Sequence, residues 1–452
     1  MHPLSRLVVS ALFGGLSLLV ACGGGSEGEA GQPLPDTSLD TTLRALLAEN
    51  QIAAPARANA PDALYSLGLN LFQSTLLSGN QKVSCASCHP IGNAGLDNLP
   101  LAIGVHGSGS PPNRTGLPLI HRNTPALMNL GTGKRTQLFW DGRVSEQDGV
   151  FTTPAGNQLP DGLTDVLAAQ ALFPLLSRDE MLGPYDPGDD NTMAELNAPG
   201  TVVESNPRPV WNAIMDRLRA DTRFAGLLQD AYPGIAPEAM GIEHAANAIS
   251  AFQSRRWYGF GESNQLHGYI NGRRVISDSA KRGGILFFGT AACVRCHSGP
   301  LFSDQKFHNL AVPQIGPGFG SGAGESPPRD KGRYEVTGDE ADLYAFLTPS
   351  LWEVKNTFPY LHNGIYATLE ETLRHHLDPA GSAMAFRCPA TLRSGGNEIA
   401  CRDSTTAPAL YADMVARLSP DSRAPPALTD ADMADLIAFL NVLTDGNNTS
   451  VR

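Results

Sequence analysis

A mainly α-helical chain in two tandem domains, with long Gly/Pro-rich loops and little sheet, is what the sequence predicts. Three observations lead there. Apolar residues recur at spacings of three and four in a series of segments. The 47 glycines and 34 prolines fall mostly between those segments. One pentapeptide occurs twice, Cys85-Ala86-Ser87-Cys88-His89 and Cys293-Val294-Arg295-Cys296-His297. Each copy follows a helical segment that ends on similar residues, Leu71-Phe72 and Leu286-Phe287-Phe288.

In chain order, Arg6 and the apolar run Leu7 to Val20 come first, too short to span a membrane as a mature helix. The run ends Leu19-Val20-Ala21-Cys22, which resembles a bacterial lipoprotein cleavage site. Residues 1–21 are therefore expected to be a signal peptide and Cys22 the lipidated residue. An ordinary secretory leader with an incidental cysteine is the alternative. Residues 22–60, Gly-rich and then Pro-rich, read as a lipid-anchored tether and linker. Helices are predicted over Leu39–Glu49, Asp62–Gln73, Val210–Arg219, Ile242–Phe252 and Ser277–Phe288. A last helix runs to Leu443 behind the Thr429-Asp430 cap pattern. Long loops over 93–119, 152–161, 183–209 and 313–330 separate them. The repeat sets the domains at 61–270 and 271–452, and no later run is apolar enough for a membrane span.

Cys-x-x-Cys-His is the attachment pattern of c-type haem. Two intervening residues make one turn, so both thiols reach the same porphyrin edge and the adjacent histidine serves as axial ligand. A structural zinc would need two further ligands near each motif, and Cys388 and Cys401 are close to neither. A redox dithiol does not require the histidine. Two covalent haem c groups are thus expected, on Cys85, Cys88 and His89 and on Cys293, Cys296 and His297, in two cytochrome c-type domains. Because c-type haem is attached outside the cytoplasmic membrane, the periplasmic face of the envelope is the expected location. The lipid anchor would be its membrane contact, at the outer membrane. Cys388 and Cys401, thirteen positions apart, are expected to form a disulfide worth about 3 kcal/mol, with free thiols as the alternative. A formal charge of −12 argues against nucleic acid and is compatible with a basic electron-donor protein.

Beyond the haem motifs, an ordered series of blocks resembles the bacterial di-haem cytochrome c peroxidases and the related MauG enzymes. They are Arg122-Asn123-Thr124-Pro125, Phe139-Trp140-Asp141-Gly142-Arg143, Gln170 through Glu180-Met181, Gly332-Arg333-Tyr334, Thr348-Pro349-Ser350-Leu351, Pro359 to Gly364 and Thr368-Leu369-Glu370-Glu371. The resemblance implies that the N-terminal haem is the peroxide site, with Gln170, Pro174 and Glu180 lining its distal face. A carboxylate in an apolar pocket can take a proton from one peroxide oxygen and return it to the other. It implies Trp140 as a conduit between the haems. It also implies a calcium site on Asn123 and the backbone at Leu347 and Pro349, hard oxygen ligands of the kind calcium prefers.

Two departures from that family stand out. The position where the peroxidases carry a methionine ligand to the C-terminal haem, and MauG a tyrosine, holds His376. His375 sits beside it, but consecutive helical residues point about 100° apart, so one of the two faces the iron. The register selects His376; Met384 is the alternative. The loop after the first motif has also lost its register, leaving His106 or His121 as candidates for a removable ligand to the N-terminal haem. An open, five-coordinate iron is the expectation.

The leading functional reading is a peroxidase that reduces hydrogen peroxide at the N-terminal haem. Electrons would come through the C-terminal haem from a small cytochrome c or copper protein. The alternatives are a MauG-like oxidase of a protein or organic substrate, and a non-catalytic di-haem electron carrier. Glu180 and Gln170 argue against the carrier, since a transfer-only haem needs no acid–base group over an open face.

Overall fold

The computed structural model describes residues 37–54, 56–184, 191–196, 203–259, 264–422 and 426–445. The expected signal peptide 1–21 and Cys22 lie outside the described residues.

The first part of the chain carries α1 (Thr37–Glu49), α2 (Asp62–Gln73), α3 (Val166–Ala171), α4 (Arg208–Ala220), α5 (Thr222–Ala231) and α6 (Ile242–Arg256). The second part carries α7 (Gln265–Ile270), α8 (Asp278–Phe288), α9 (Tyr334–Thr337), α10 (Leu369–Leu377), α11 (Pro379–Ala385), α12 (Pro408–Ala416) and α13 (Asp430–Val442). The predicted helices are all present within a few residues. The end signals read as expected: the Thr429 side chain accepts from the Asp432 amide, and Asp432 answers the Thr429 amide. Sheet is confined to short antiparallel pieces. β1 (Gln137–Leu138), β2 (Val144–Gln147) and β3 (Val150–Thr152) form one, with Leu138 opposite Val144 and Glu146 opposite Phe151. β4 (Phe307–His308) pairs with β5 (Phe346–Leu347), and β6 (Arg393–Ser394) with β7 (Asn397–Glu398).

Two helix pairs organise the core, and each is drawn together by a glycine. A Cβ on Gly68 of α2 would lie 1.9 Å from the Ala248 carbonyl oxygen of α6. A Cβ on Gly283 of α8 would lie 1.8 Å from the Asp435 carbonyl oxygen of α13. Backbones this close bury the apolar stripes of both helices without a gap. Around the first pair gather Leu67, Leu71, Phe72, Trp211, Phe252 and Trp257. Around the second gather Phe287, Phe302, Trp352, Phe439 and Leu443. In each half the glycine-bearing helix leads into a haem motif, so the repeat read from sequence is also a repeat of packing.

One expectation is corrected here. Residues 37–52 fall inside the segment read as tether, yet α1 packs into the second core. Leu43 and Leu47 are buried there, Asp40 accepts from Tyr269 Oη at 2.7 Å, and Lys281 Nζ lies 3.2 Å from Asp40. Its narrow apolar face suffices to dock it, and the composition around it hid this. No helix among the described residues is long and apolar enough to cross a membrane.

A smaller region after α10 is stapled by the Cys388–Cys401 disulfide, as expected. It packs α11 and α12 through Ala383, Leu410, Tyr411 and Met414.

Candidate functional site

Each pentapeptide forms a single tight turn. In the first, Cys88 N donates to Cys85 O at 3.2 Å and His89 N to the same oxygen at 2.8 Å. Ser84 N is closed off by Ser87 Oγ at 3.0 Å. In the second, Cys296 N and His297 N both donate to Cys293 O, at 3.3 and 2.8 Å. The turn puts Cys85, Cys88 and His89 on one wall of a cavity enclosing about 1050 Å³, part of it open to solvent. Among the described residues, these four motif cysteines are unbonded. Burial pushes the Cys85 and Cys293 thiols up to about 12, so they are protonated at neutral pH, unlike those of a reactive dithiol.

The two motif histidines share one arrangement. Nδ1 of His89 lies 2.6 Å from Gly95 O, and Nδ1 of His297 lies 2.9 Å from Phe302 O. A carbonyl can only accept, so each Nδ1 carries the proton and each Nε2 the lone pair. Burial holds both rings neutral, with pKa values lowered to about 4. A haem iron requires that state of its axial ligand, and the carbonyl partner raises the ligand's basicity. Thiols, imidazole and cavity together fit a covalently held haem.

Gln170, Pro174, Glu180 and Met181 line the same cavity. Gln170 is on α3, whose first turn is capped by Asp165: Ala168 N donates to Asp165 Oδ1 at 2.8 Å. Glu180 sits on a one-turn π-helix, Arg178–Leu182, opened by Ser177 and ended by Gly183 at φ 89°. The turn is clamped on both sides. Val105 N donates to Asp179 O at 2.9 Å and Gly79 N to Met181 O at 2.9 Å. Desolvation pushes the Glu180 carboxyl up from the ordinary glutamate range, and the nearby Arg143 opposes it in part. The three residues expected on the distal face therefore line the same cavity as His89.

The two loop histidines separate. His121 lines this cavity, its ring 4.4 Å from that of Phe319, and burial lowers its pKa to about 3. His106 is exposed and lines a different groove, with Arg178 and Asp179.

Trp140 lines the cavity too. Its indole Nε1 donates to Asn123 O at 2.9 Å, while its own carbonyl accepts from Leu347 N at 2.8 Å. It thus ties the first half of the chain to the second. Beside it, Arg122 Nη1 reaches Asp141 at 2.6 Å, and its Nε and Nη2 hold Asp330 at 2.6 and 2.9 Å. Arg143 completes the buried cluster on Asp141 at 3.0 Å. The neighbouring guanidinium groups hold both aspartates below the usual carboxylate range despite burial. This cluster explains why Arg122 and the Trp140-Asp141-Gly142-Arg143 block occur together. Sequence reading missed Asp330, which lies two residues before the Gly332-Arg333-Tyr334 block. Asn123 is buried, with Nδ2 on the Leu99 and Pro100 carbonyls at 2.8 and 3.2 Å. Leu347 is close through Trp140, and Pro349 is exposed.

On the C-terminal side, Thr368 caps α10, with its Oγ1 accepting from Glu371 N at 3.2 Å. Both nitrogens of His375 are engaged by protein: Nδ1 with Tyr366 Oη at 3.0 Å and Nε2 with Leu310 O at 2.8 Å. His376 places Nδ1 on Thr372 O at 2.8 Å, and among the described residues no partner meets its Nε2. That is the pattern of His89 and His297. His376 is also close enough to His297 to affect its charge state. Met384 is 45% exposed.

Cys296, Asp304 and His308 also cluster, with His308 Nε2 2.8 Å from Asp304 Oδ2. A sulfur held in a thioether is no thiolate ligand, so the group is read as an imidazole–carboxylate pair beside the second motif.

A family model described as di-haem cytochrome c peroxidase matches residues 62–259. The chain is 28% identical over 379 residues to the methylamine utilization protein MauG of Methylorubrum extorquens, covering 83% of this chain and 86% of that one. It is 29% identical over 338 residues to the cytochrome-c peroxidase IdrP1 of a Pseudomonas species, covering 70% and 72%. Among solved structures, a MauG-like protein associated with microbial copper homeostasis matches with a TM-score of 0.57 at 25% identity, over 87% of this chain and 94% of the other. The diheme peroxidase BthA of Burkholderia thailandensis shares the fold with a TM-score of 0.58 at 22% identity, over 88% and 90%.

Proposed function

The chain belongs to the bacterial di-haem cytochrome c peroxidase and MauG-like family and is a mainly helical di-haem oxidoreductase; from that premise we propose that it reduces hydrogen peroxide in the cavity lined by His89 and Glu180. The observation that carries the reading is the half-buried Glu180 carboxyl in the cavity that His89, Gln170 and Pro174 also line. Each haem, when bound, supplies an iron that exchanges electrons and, where one face is open, accepts peroxide.

The chain's own groups do the rest. Cys85 and Cys88 hold the N-terminal haem, and Cys293 and Cys296 the other, each in its domain (61–270 and 271–452). His89 and His297 present neutral Nε2 atoms, fixed by their Nδ1–H bonds. Glu180, its proton affinity raised by desolvation, takes a proton from one peroxide oxygen and delivers it to the other, which leaves as water. Gln170 offers an amide to orient the peroxide, and Pro174 presents no N–H to compete for it. Trp140, pinned by Asn123 and Leu347, is the conduit by which electrons cross from the C-terminal haem. His376, its Nδ1 held by Thr372 O, would help hold that haem through Nε2. Asn123 Oδ1, left over from its two amide bonds, joins the carbonyls of Leu347 and Pro349 as hard ligands for one calcium ion.

We place the mature protein at the periplasmic face of the envelope, anchored through Cys22 after loss of residues 1–21. Its electron donor is a small cytochrome c or copper protein. Peroxide-dependent oxidation of such a reduced donor, with rapid reaction of the first haem, tests the reading. Two six-coordinate haems inert to peroxide would make it an electron carrier instead. One observation favours the MauG-like variant: a histidine at 376 in place of methionine gives a lower-potential second haem, since thioether favours ferrous iron. Peroxide-driven oxidation of an organic or protein substrate, without turnover of reduced donors, would select that variant.

A further inference from the structure

The segment entering β1 carries a guanidinium nitrogen that nothing among the described residues answers. Nη1 of Arg135 is sealed from solvent and has no hydrogen-bond partner among the described residues. Gln137 Oε1, two positions along, is in the same condition. Burial without a counter-charge pulls the Arg135 guanidinium down to about 10. A buried guanidinium left unpaired is costly, and an amide whose oxygen finds no donor is one whose N and O assignment can be exchanged. Read that way, both side chains offer unused N–H groups two positions apart on one strand-entering segment.

The surroundings identify the acceptor. Gln305 clamps the segment on both sides of Arg135: its Nε2 donates to Lys134 O at 2.7 Å, and its Oε1 accepts from Thr136 N at 2.8 Å. Gln305 belongs to the loop that continues the second haem motif. In that loop Asp304 N donates to Cys296 O at 2.7 Å, and Phe302 O accepts His297 Nδ1. Neither Arg135 nor Gln137 lines the cavity of the first motif. The anion that comes with the second motif is a haem carboxylate.

We propose that Arg135, with Gln137 beside it, binds a propionate of the C-terminal haem and thereby sets that haem's potential. This rests on the two-haem reading above. A planar guanidinium matches a carboxylate in a fork, and a buried pair of this kind holds a fixed positive charge near the iron. That charge favours the reduced iron.

The test is spectroelectrochemical titration of the full holoprotein carrying Arg135→Leu or Arg135→Lys, with haem counted by pyridine haemochrome. The expected result is two haems in each, a downward shift of the C-terminal haem's midpoint in Arg135→Leu, no shift of the N-terminal haem, and a smaller shift in Arg135→Lys. If Arg135→Leu does not fold, the same intermediate shift in Arg135→Lys decides. With two haems present, an unmoved C-terminal midpoint overturns the proposal, as does a shift confined to the N-terminal haem. Fewer than two haems in the parent protein would instead overturn the reading on which the proposal rests.

Discussion

His375 and His376 are neighbours on one helix, yet among the described residues protein engages both ring nitrogens of the first and a single nitrogen of the second. His375 bridges Tyr366 Oη and Leu310 O and is buried, which is a structural role. His376 leaves Nε2 without a partner among the described residues. The 100° turn between adjacent helical residues separates the two tasks.

It follows that His376→Met raises the C-terminal haem's potential, because thioether replaces imidazole at the iron. His375→Met leaves that potential nearly unchanged and instead lowers stability by about 2–4 kcal/mol, since it strands the Tyr366 hydroxyl and the Leu310 carbonyl in a buried site. Redox titration and thermal melting of both variants read the two effects separately. Equal potential shifts would remove the distinction.

Steric closeness at the two helix pairs gives a second expectation. Gly68→Ala and Gly283→Ala each drive a Cβ into a backbone oxygen, and each costs about 3 kcal/mol or more as the helices separate. Gly226→Ala is the control: it is mid-helix in α5 with nothing within 4 Å of the new Cβ, so it stabilises by about 0.5–1 kcal/mol. Melting temperatures of the three variants check the order.

What could be read from sequence was what depends on local spacing. The haem turns, the six periodic helices and the Thr429 cap are set within a few residues, whereas Gln170, Pro174 and Glu180 were marked out by the family resemblance and not by their spacing alone. What could not be read depends on chain segments meeting. Arg122 and Asp330 are 208 positions apart, and nothing near Asp330 marks it as the partner of a buried guanidinium. His106 and His121 lie in one Gly/Pro-rich loop, and only its folding over the Asp179 carbonyl sends one outward and the other to the cavity. The apolar face of α1 was visible, but not that it belongs to the second core rather than to a tether.

Glu353 gives a pH dependence. Its carboxylate is buried at a bend with φ 64°, accepting from Asp445 N at 2.8 Å and Asn356 Nδ2 at 3.2 Å. Desolvation outweighs those bonds and raises its pKa from 4.5 to about 7. Between those values the folded state binds more protons than the unfolded one, so stability falls as pH rises through this window and levels off above it. Glu353→Gln removes the titration while keeping an acceptor oxygen. The variant therefore gains stability relative to the parent between pH 5 and pH 8, measured by denaturant melts. A gap that stays constant with pH would contradict the assignment.

Glu180→Gln tests the chemistry itself. The amide keeps the shape of the π-turn residue and a hydrogen bond, and it leaves the Ser177 cap and the Val105 and Gly79 clamps untouched, so both haem spectra stay close to normal. It cannot accept a proton and return it, so the peroxide reaction slows by roughly 10²–10⁴-fold, the range for a positioned acid–base group. Asp179→Asn is the matched control. That side chain is exposed toward the other groove, and its substitution changes the rate little. Stopped-flow mixing with peroxide across a range of pH separates the two, because the parent's rate follows the raised Glu180 titration and the Glu180→Gln rate does not. If Glu180→Gln reacts as fast as the parent at every pH, the proton moves by another route and the Glu180 carboxyl is only a wall of the cavity.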